Sequence, residues 1–320
     1  MKNKGIKPTK YVKKYHLSNI RAMIKNNKKS PHICTDKSQG KLIAITGATS
    51  GIGYATALKY AQMGADLICI NRNKQKSEQL KQEIEKKHQV KCEYIIADFS
   101  KLEDTHQAAQ KLLETKKPID VLIHNAGIYQ TKKQTTPDGI EEVFMINYLA
   151  TFIINYKLKD QLKTQEKCRI ILINSEGHRF APWGIALNDL NWTKRHYTGL
   201  KSYGQAKLAQ LLTMKKFDEY FKGSGVTINA MHPGAVQSST GQANGPLYKW
   251  FKKNLLDKSL KPTSIAADAI YYLGTSKEME TIRGKYFNLT TLEEPAPPAL
   301  DQENADLLWD ISIEMGKLDE

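Results

Sequence analysis

Tyr203 and Lys207, four apart in the stretch YGQAK, are the first residues whose types could do chemistry together. On a helix, positions i and i+4 share a face, so a phenol and an ammonium at that spacing stand side by side. A free tyrosine titrates near about 10 and is a poor base at neutral pH. A cation beside it favours the phenolate, and a shift of about three units is worth ~4 kcal/mol. The pattern alone is weak, because many helices carry it by chance. Ser175, in ILINSEGHRF (171–180), is a second candidate: an apolar strand ends at Asn174, and one hydroxyl follows before charge and histidine. A serine there commonly does no more than turn the chain, so its meaning depends on what surrounds it. A third stretch, AITGATSGIGYATA (44–57), sets Gly47, Gly51 and Gly53 around Ser50 and Ile52. Glycine holds φ values that other residues avoid, and its missing side chain lets a pyrophosphate reach the backbone. Plain turns hold glycines too. This one follows an apolar strand and opens a helix whose free N–H groups would face an anion.

These groups need a frame, and from about residue 40 the pattern supplies one. Short β-branched runs (KLIAITG, ADLICIN, CEYIIAD, IDVLIHNAG, RIILINS, VTINAMHPG) alternate with helical stretches over about 52–63, 74–88, 101–116, 137–163 and 202–222. Nearly continuous apolar strands in such alternation predict an α/β fold with a parallel sheet covered on both faces. Right-handed crossovers make that sheet doubly wound, the Rossmann arrangement. The expected organisation is one domain over 39–320 behind a basic extension over 1–38.

The 320 residues suffice to bury a large core. No apolar run approaches bilayer length, and the N-terminus lacks the apolar stretch of a secretory signal. Cys34, Cys69, Cys92 and Cys168 show neither CxxC nor metal-ligand spacing, so no metal site is expected. They read as reduced, structural thiols of a cytoplasmic protein. The net charge of +15 is concentrated: residues 1–35 hold ten Lys or Arg and no acid. So uneven a distribution argues against a protein-wide nucleic-acid surface, and no folded nucleic-acid motif accompanies it. Leu17, Ile20, Met23 and Ile24 fit one helical face. That leaves open a helix making peripheral contact with a membrane, a basic arm for an acidic partner, and a helix packed on its own domain.

TGATSGIG resembles the nucleotide loop of the short-chain dehydrogenase/reductase family, and YGQAK, at the start of the helix after the fifth strand, resembles that family's acid/base pair. The similarity extends over about residues 40–318. It implies hydride transfer between a nicotinamide and a small-molecule carbonyl or alcohol, with Tyr203 delivering or accepting the proton. By resemblance, Ser175 is the second of the family's paired serines, with Asn174 in place of the first. A hydroxyl there donates to the carbonyl oxygen as hydride reaches carbon. Asn147, in FMINYLATF, matches the helix asparagine that holds a water in a proton relay through Lys207. Asp98, with Phe99 beside it, matches the residue that takes the adenine amino group. Asn125, Ala126 and Gly127 match the element that lines the adenosine and steadies the sheet, with His124 in place of its first Asn. Pro233, Gly234, Val236 and Ser238 match the loop for the nicotinamide carboxamide.

The end of the second strand bears on which nicotinamide cofactor is used. NAD binders commonly place an acid there for the ribose 2′-OH. This chain has Asn71 and then Arg72, with Lys74 and Lys76 close behind. A guanidinium binds a 2′-phosphate with paired hydrogen bonds where a carboxylate would repel it, so NADP(H) is expected over NAD(H). NSEGHRF, GKYF (284–287) and LWDISIEM (308–315) look like the retinol dehydrogenase-like branch, which includes the WW-domain oxidoreductase, without a WW domain. That likeness implies a retinoid-, steroid- or lipid-like substrate. Phe180, Trp183, Trp192 and Tyr197, and then Leu247, Trp250, Phe251 and Leu255, are candidate apolar contacts or plain packing. The family's habit of pairing through its long helices implies a homodimer or homotetramer. A nucleotide-binding regulator or scaffold of the same fold, without turnover, is the alternative.

Overall fold

β-Branched runs build the sheet. β1 (Leu42–Thr46), β2 (Asp66–Asn71), β3 (Cys92–Ile96), β4 (Val121–His124), β5 (Cys168–Ile173), β6 (Val226–His232) and β7 (Tyr286–Asn288) lie parallel in a computed structural model. It describes residues 10–15, 25–26, 29–236 and 261–318. β8 (Thr291–Glu293) returns antiparallel to β7. The strand order β3-β2-β1-β4-β5-β6-β7-β8 puts the reversal of winding between β1 and β4, where open α/β sheets bind ligands. Alternate residues serve opposite faces. Ile43 and Ile45 pack with α1 (Gly51–Gln62), α2 (Lys74–His88) and α6 (Thr263–Thr275). Leu42 and Ala44 pack on the other face with α3 (Leu102–Leu113), the long helix α4 (142–163), α5 (Gly199–Tyr220) and α7 (Gln302–Met315). The doubly wound sheet is as expected.

α4 departs from the expected start at Pro137. Residues 137–139 form a turn, closed by Gly139 at φ +78° and by the Thr136 N–H donating to Ile140 O at 2.8 Å. The helix starts at Glu142, because the buried Glu141 carboxylate accepts the N–H groups of Val143 and Phe144 and caps it. Its first turn, Glu142–Phe144, runs into a π-helical turn, Met145–Leu149, before the regular stretch Ala150–Lys163. Single π turns inside helices often mark functional positions, and this one carries Asn147.

α7 lies across the outer faces of α4 and α5. The Trp309 ring sits 4.7 Å from Phe217 and 5.0 Å from Phe152, and Tyr148 shares a 2.5 Å hydrogen bond with Ser312. The aromatic face of the two long helices is therefore covered by the chain's own terminus.

Part of the basic extension is built into the domain. Tyr11 is buried; its hydroxyl donates to Asp301 at 2.6 Å and accepts from Asn304, and its ring leaves no room for a Cβ on Gly184. Asn26 donates to Glu293, and the His32 N–H to Thr290. The apolar positions Leu17–Ile24, the segment 247–256 and Ser238 lie outside the described residues. Among those described, no helix is long and apolar enough to cross a membrane, and all four cysteines are buried and free.

Candidate active site

Loops from the carboxyl ends of β1 to β6 converge on one cleft of about 490 Å³. The β1 turn is the tightest part. Gly47 stands at φ +71° and Gly51 at φ +58°. A Cβ on Gly53 would lie 2.2 Å from the Gly47 carbonyl oxygen and 2.4 Å from Asn125 Nδ2. Asn125 ties this turn to β4: its Nδ2 donates to the carbonyls of Thr46 (3.1 Å) and Gly47 (3.0 Å). Thr46 Oγ1 accepts the N–H groups of Asn125 and Ala126 in return. Gly47, Ser50 and Ile52 line the cleft, whereas Gly51 and Gly53 shape the turn behind it. Ala126 and Gly127 also line it, and His124 lies buried against Asn155.

On the β2–β3 side, Asn71 is buried, and its Oδ1 accepts the Ala48 N–H at 2.7 Å. Its Nδ2, on the same wall, has no partner among the described residues. A tight glycine cradle beside an unpaired buried donor fits a nucleotide with acceptor oxygens. Arg72 and Lys76 line the cleft here, and Arg72 forms no ion pair among the described residues. Asp98 and Phe99 complete this side; Asp98 Oδ1 accepts from the N–H and hydroxyl of Ser100.

The β5 side brings the polar candidates together. Ser175 caps the short helix Glu176–Phe180, its Oγ accepting the Gly177 N–H at 3.0 Å. His178 accepts the Ala296 N–H at Nε2, so its proton is on Nδ1 and is donated to Ser175 O at 2.7 Å. Tyr203 lies against Gly177, where a Cβ would be 2.6 Å from the ring, and hydrogen-bonds Ser175. Lys207 Nζ, 5.8 Å from the centre of that ring, donates to Ile173 O at 2.7 Å. Asn147 sits behind the cleft wall, its amide closing both backbone groups of Ile128. Its own backbone carbonyl accepts from Gln210 Nε2 at 2.7 Å. Pro233, Gly234 and Val236 close the β6 side next to His232.

The model of the family described as short chain dehydrogenase matches residues 41–186. Retinol dehydrogenase 13 of Homo sapiens is 35% identical over 277 residues, 84% of this chain and 82% of that protein. The chain belongs to the short-chain dehydrogenase/reductase family. Retinol dehydrogenase 14 of Homo sapiens is 32% identical, covering 85% of each protein. The WW domain-containing oxidoreductase of Homo sapiens is 31% identical over 85% of this chain and 67% of its own length. Among solved structures, an uncharacterized protein from Mycobacterium Paratuberculosis matches with a TM-score of 0.68 at 24% identity, over 88% of this chain and 95% of that one. A short chain dehydrogenase from Burkholderia cenocepacia J2315 in complex with NADP matches with a TM-score of 0.61 at 22% identity, over 82% and 99%.

In this dehydrogenase/reductase, burial governs the ionisation of Tyr203 and Lys207. It raises the Tyr203 phenol, with the Ser175 hydrogen bond acting the other way, and it lowers the Lys207 ammonium to about 7. The lowering of the phenol expected from its neighbouring cation is not found: burial raises it, and the Ser175 hydrogen bond is what opposes burial. The aromatic residues of 176–202, open in the sequence between apolar contacts and plain packing, do not line the main cleft. Phe180, Trp183 and Trp192 line a separate cavity of about 330 Å³ with Arg195, and Tyr197 donates to Gln130 O. Tyr129, which no motif singles out, stands edge-on to Tyr203 at 5.9 Å instead. Thr46 and Gln210 were likewise hidden in the sequence. A buried polar residue three and seven positions beyond Lys207 and Tyr203, on the same helical stripe, is the one signal that points to Gln210.

Proposed function

We propose that this enzyme is an NADP(H)-dependent oxidoreductase acting on apolar carbonyls or alcohols of retinoid-, steroid- or lipid-like type, with Tyr203, Lys207, Ser175 and Asn147 as its catalytic group. One observation carries the proposal: a single cleft holds Tyr203, Ser175 and Lys207 together with the glycine turn and the cations Arg72 and Lys76. The glycine turn and Asn71 would hold the dinucleotide, and Arg72 would take a 2′-phosphate, for which no acid competes at the end of β2. When bound, the nicotinamide supplies or accepts the hydride. Ser175 orients the substrate oxygen, and Tyr203 gives it a proton in reduction or removes one in oxidation. With its phenol raised by burial, Tyr203 stands protonated at neutral pH, the form carbonyl reduction needs.

Ile128 and Tyr129, with the names of the similar retinol dehydrogenases, support an apolar substrate. We place the protein in the cytoplasm, with peripheral membrane contact through its basic N-terminus. A homodimer or homotetramer would use a face other than the α4–α5 surface that α7 covers. The test is NADPH consumption with long-chain and aromatic aldehydes beside small hydrophilic ketones. Faster turnover of the apolar set is expected. NADPH binding without turnover of any carbonyl would favour a regulator instead.

A further inference from the structure

We propose that Gln210 and Asn174 form an amide clamp that positions Lys207 and Ser175 for hydride transfer, resting on the reading of Tyr203 and Lys207 given above. Both amides are buried, and a buried primary amide is costly unless its donors and acceptors are used. Here they are used on the site itself. Gln210 Oε1 accepts from Asn174 Nδ2 at 2.9 Å and from Lys207 Nζ at 3.3 Å, while Gln210 Nε2 donates to the Asn147 carbonyl. Asn174 Oδ1 accepts the Ser175 N–H at 2.8 Å, and its Nδ2 also donates to Lys207 O at 2.8 Å. Two side chains thereby bind the backbones of Ser175, Lys207 and Asn147 and the Lys207 ammonium into one network.

The Lys207 ammonium has three N–H donors. Two are taken by the Ile173 and Gln210 carbonyl oxygens, which leaves one for the cleft that Lys207 lines. Both acceptors are neutral, and no carboxylate pairs with Lys207 among the described residues. Among the described residues, the titratable and charged groups on the cleft that Lys207 lines are Tyr203 on the same helix, His232 on β6, Arg72 and Lys76 after β2 and Asp98 after β3, and Tyr129 stands edge-on to Tyr203. An amide neither takes up nor releases a proton near neutral pH. Gln210 therefore fixes the lysine without carrying its proton, and protons reach Lys207 from the cleft.

Gln210→Glu is nearly isosteric and places a carboxylate against Nζ; Gln210→Met keeps the volume and removes the hydrogen bonds. Competitive acetylation of Lys207 with acetic anhydride across a pH series, read by peptide mass spectrometry, follows the ammonium without requiring turnover. Gln210→Glu should move the Lys207 midpoint up by at least about one pH unit. Gln210→Met should lower kcat about tenfold and leave KM and NADPH affinity within about threefold. An unmoved midpoint in Gln210→Glu overturns the clamp, and that variant alone decides if Gln210→Met does not fold. An upward midpoint shift in a protein that reduces no carbonyl would leave the clamp standing and overturn the proposed function. An active wild type with an unmoved midpoint does the reverse.

Discussion

Alanine at Gly53 perturbs the glycine turn after β1 where it is tightest. Its Cβ would stand 2.2 Å from the Gly47 carbonyl oxygen and 2.4 Å from Asn125 Nδ2, roughly 1 Å inside ordinary contact. Neither neighbour is free to withdraw. Gly47 is held by its N–H to Ile70 O at 2.8 Å, and Asn125 by its bonds to Thr46 and Gly47. Relief must come from backbone movement and loss of the Asn125 bonds. Overpacking costs about 1–3 kcal/mol and each of the two lost hydrogen bonds about 1 kcal/mol, so Gly53→Ala should lose about 3–5 kcal/mol of stability. Because the damage lies in the turn proposed to hold the pyrophosphate, NADPH affinity should fall by at least about tenfold. Gly223→Ala is the control. Gly223 has φ +83° and nothing within 4 Å, so alanine there costs only about 1–2 kcal/mol of backbone strain and leaves the cleft alone. Urea unfolding and a fluorescence titration with NADPH measure both. A Gly53→Ala protein as stable as Gly223→Ala, binding NADPH like the wild type, would refute the packing argument.

Ser175→Ala should lower kcat by about 10²–10³ while NADPH affinity stays within about twofold; wild-type turnover would return Ser175 to a turn residue. Arg72→Asp should weaken NADPH by about 10- to 100-fold and spare NADH, and equal losses for the two cofactors in binding titrations would contradict the 2′-phosphate role. Carbonyl reduction should slow as pH rises through about 7, where Lys207 loses its charge; a pH–rate profile without that alkaline limb counts against the need for the ammonium. Burial lowers His124 and His232 to about 4 and His178 to about 3. Unfolded histidines take up protons near about 6.5 that the folded ones refuse, so stability should fall as pH drops from there toward about 4. A urea midpoint that stays flat over that range would contradict it.

The sheet was legible because its strands are apolar on both faces, a signal carried within a few residues. α2 matches its sequence range of 74–88 because its polar surface is unbroken until Gln89 turns left-handed at φ +56°. The start of α4 was not legible, since its cap is a buried glutamate and not the usual small polar residue. Its π turn left no mark on the periodicity either. The docking of Tyr11 was not legible, because its partners Asp301 and Asn304 lie some 290 residues away. Of the site, the residues whose types carry chemistry were visible, and those that hold them were hidden. Thr46, Asn174, Gln210 and His178 work through backbone groups of neighbours that only the fold brings near.

Transfer of deuterium from NADPH labelled at nicotinamide C4 to the carbonyl carbon of an apolar aldehyde, by the wild type and by Tyr203→Phe, bears most directly on the function. The wild-type alcohol should carry the label on its carbinol carbon. Tyr203→Phe should bind NADPH equally well and form that alcohol at least about 10²-fold more slowly. Unlabelled product, or equal rates from the two proteins, would contradict hydride transfer with Tyr203 as the proton donor.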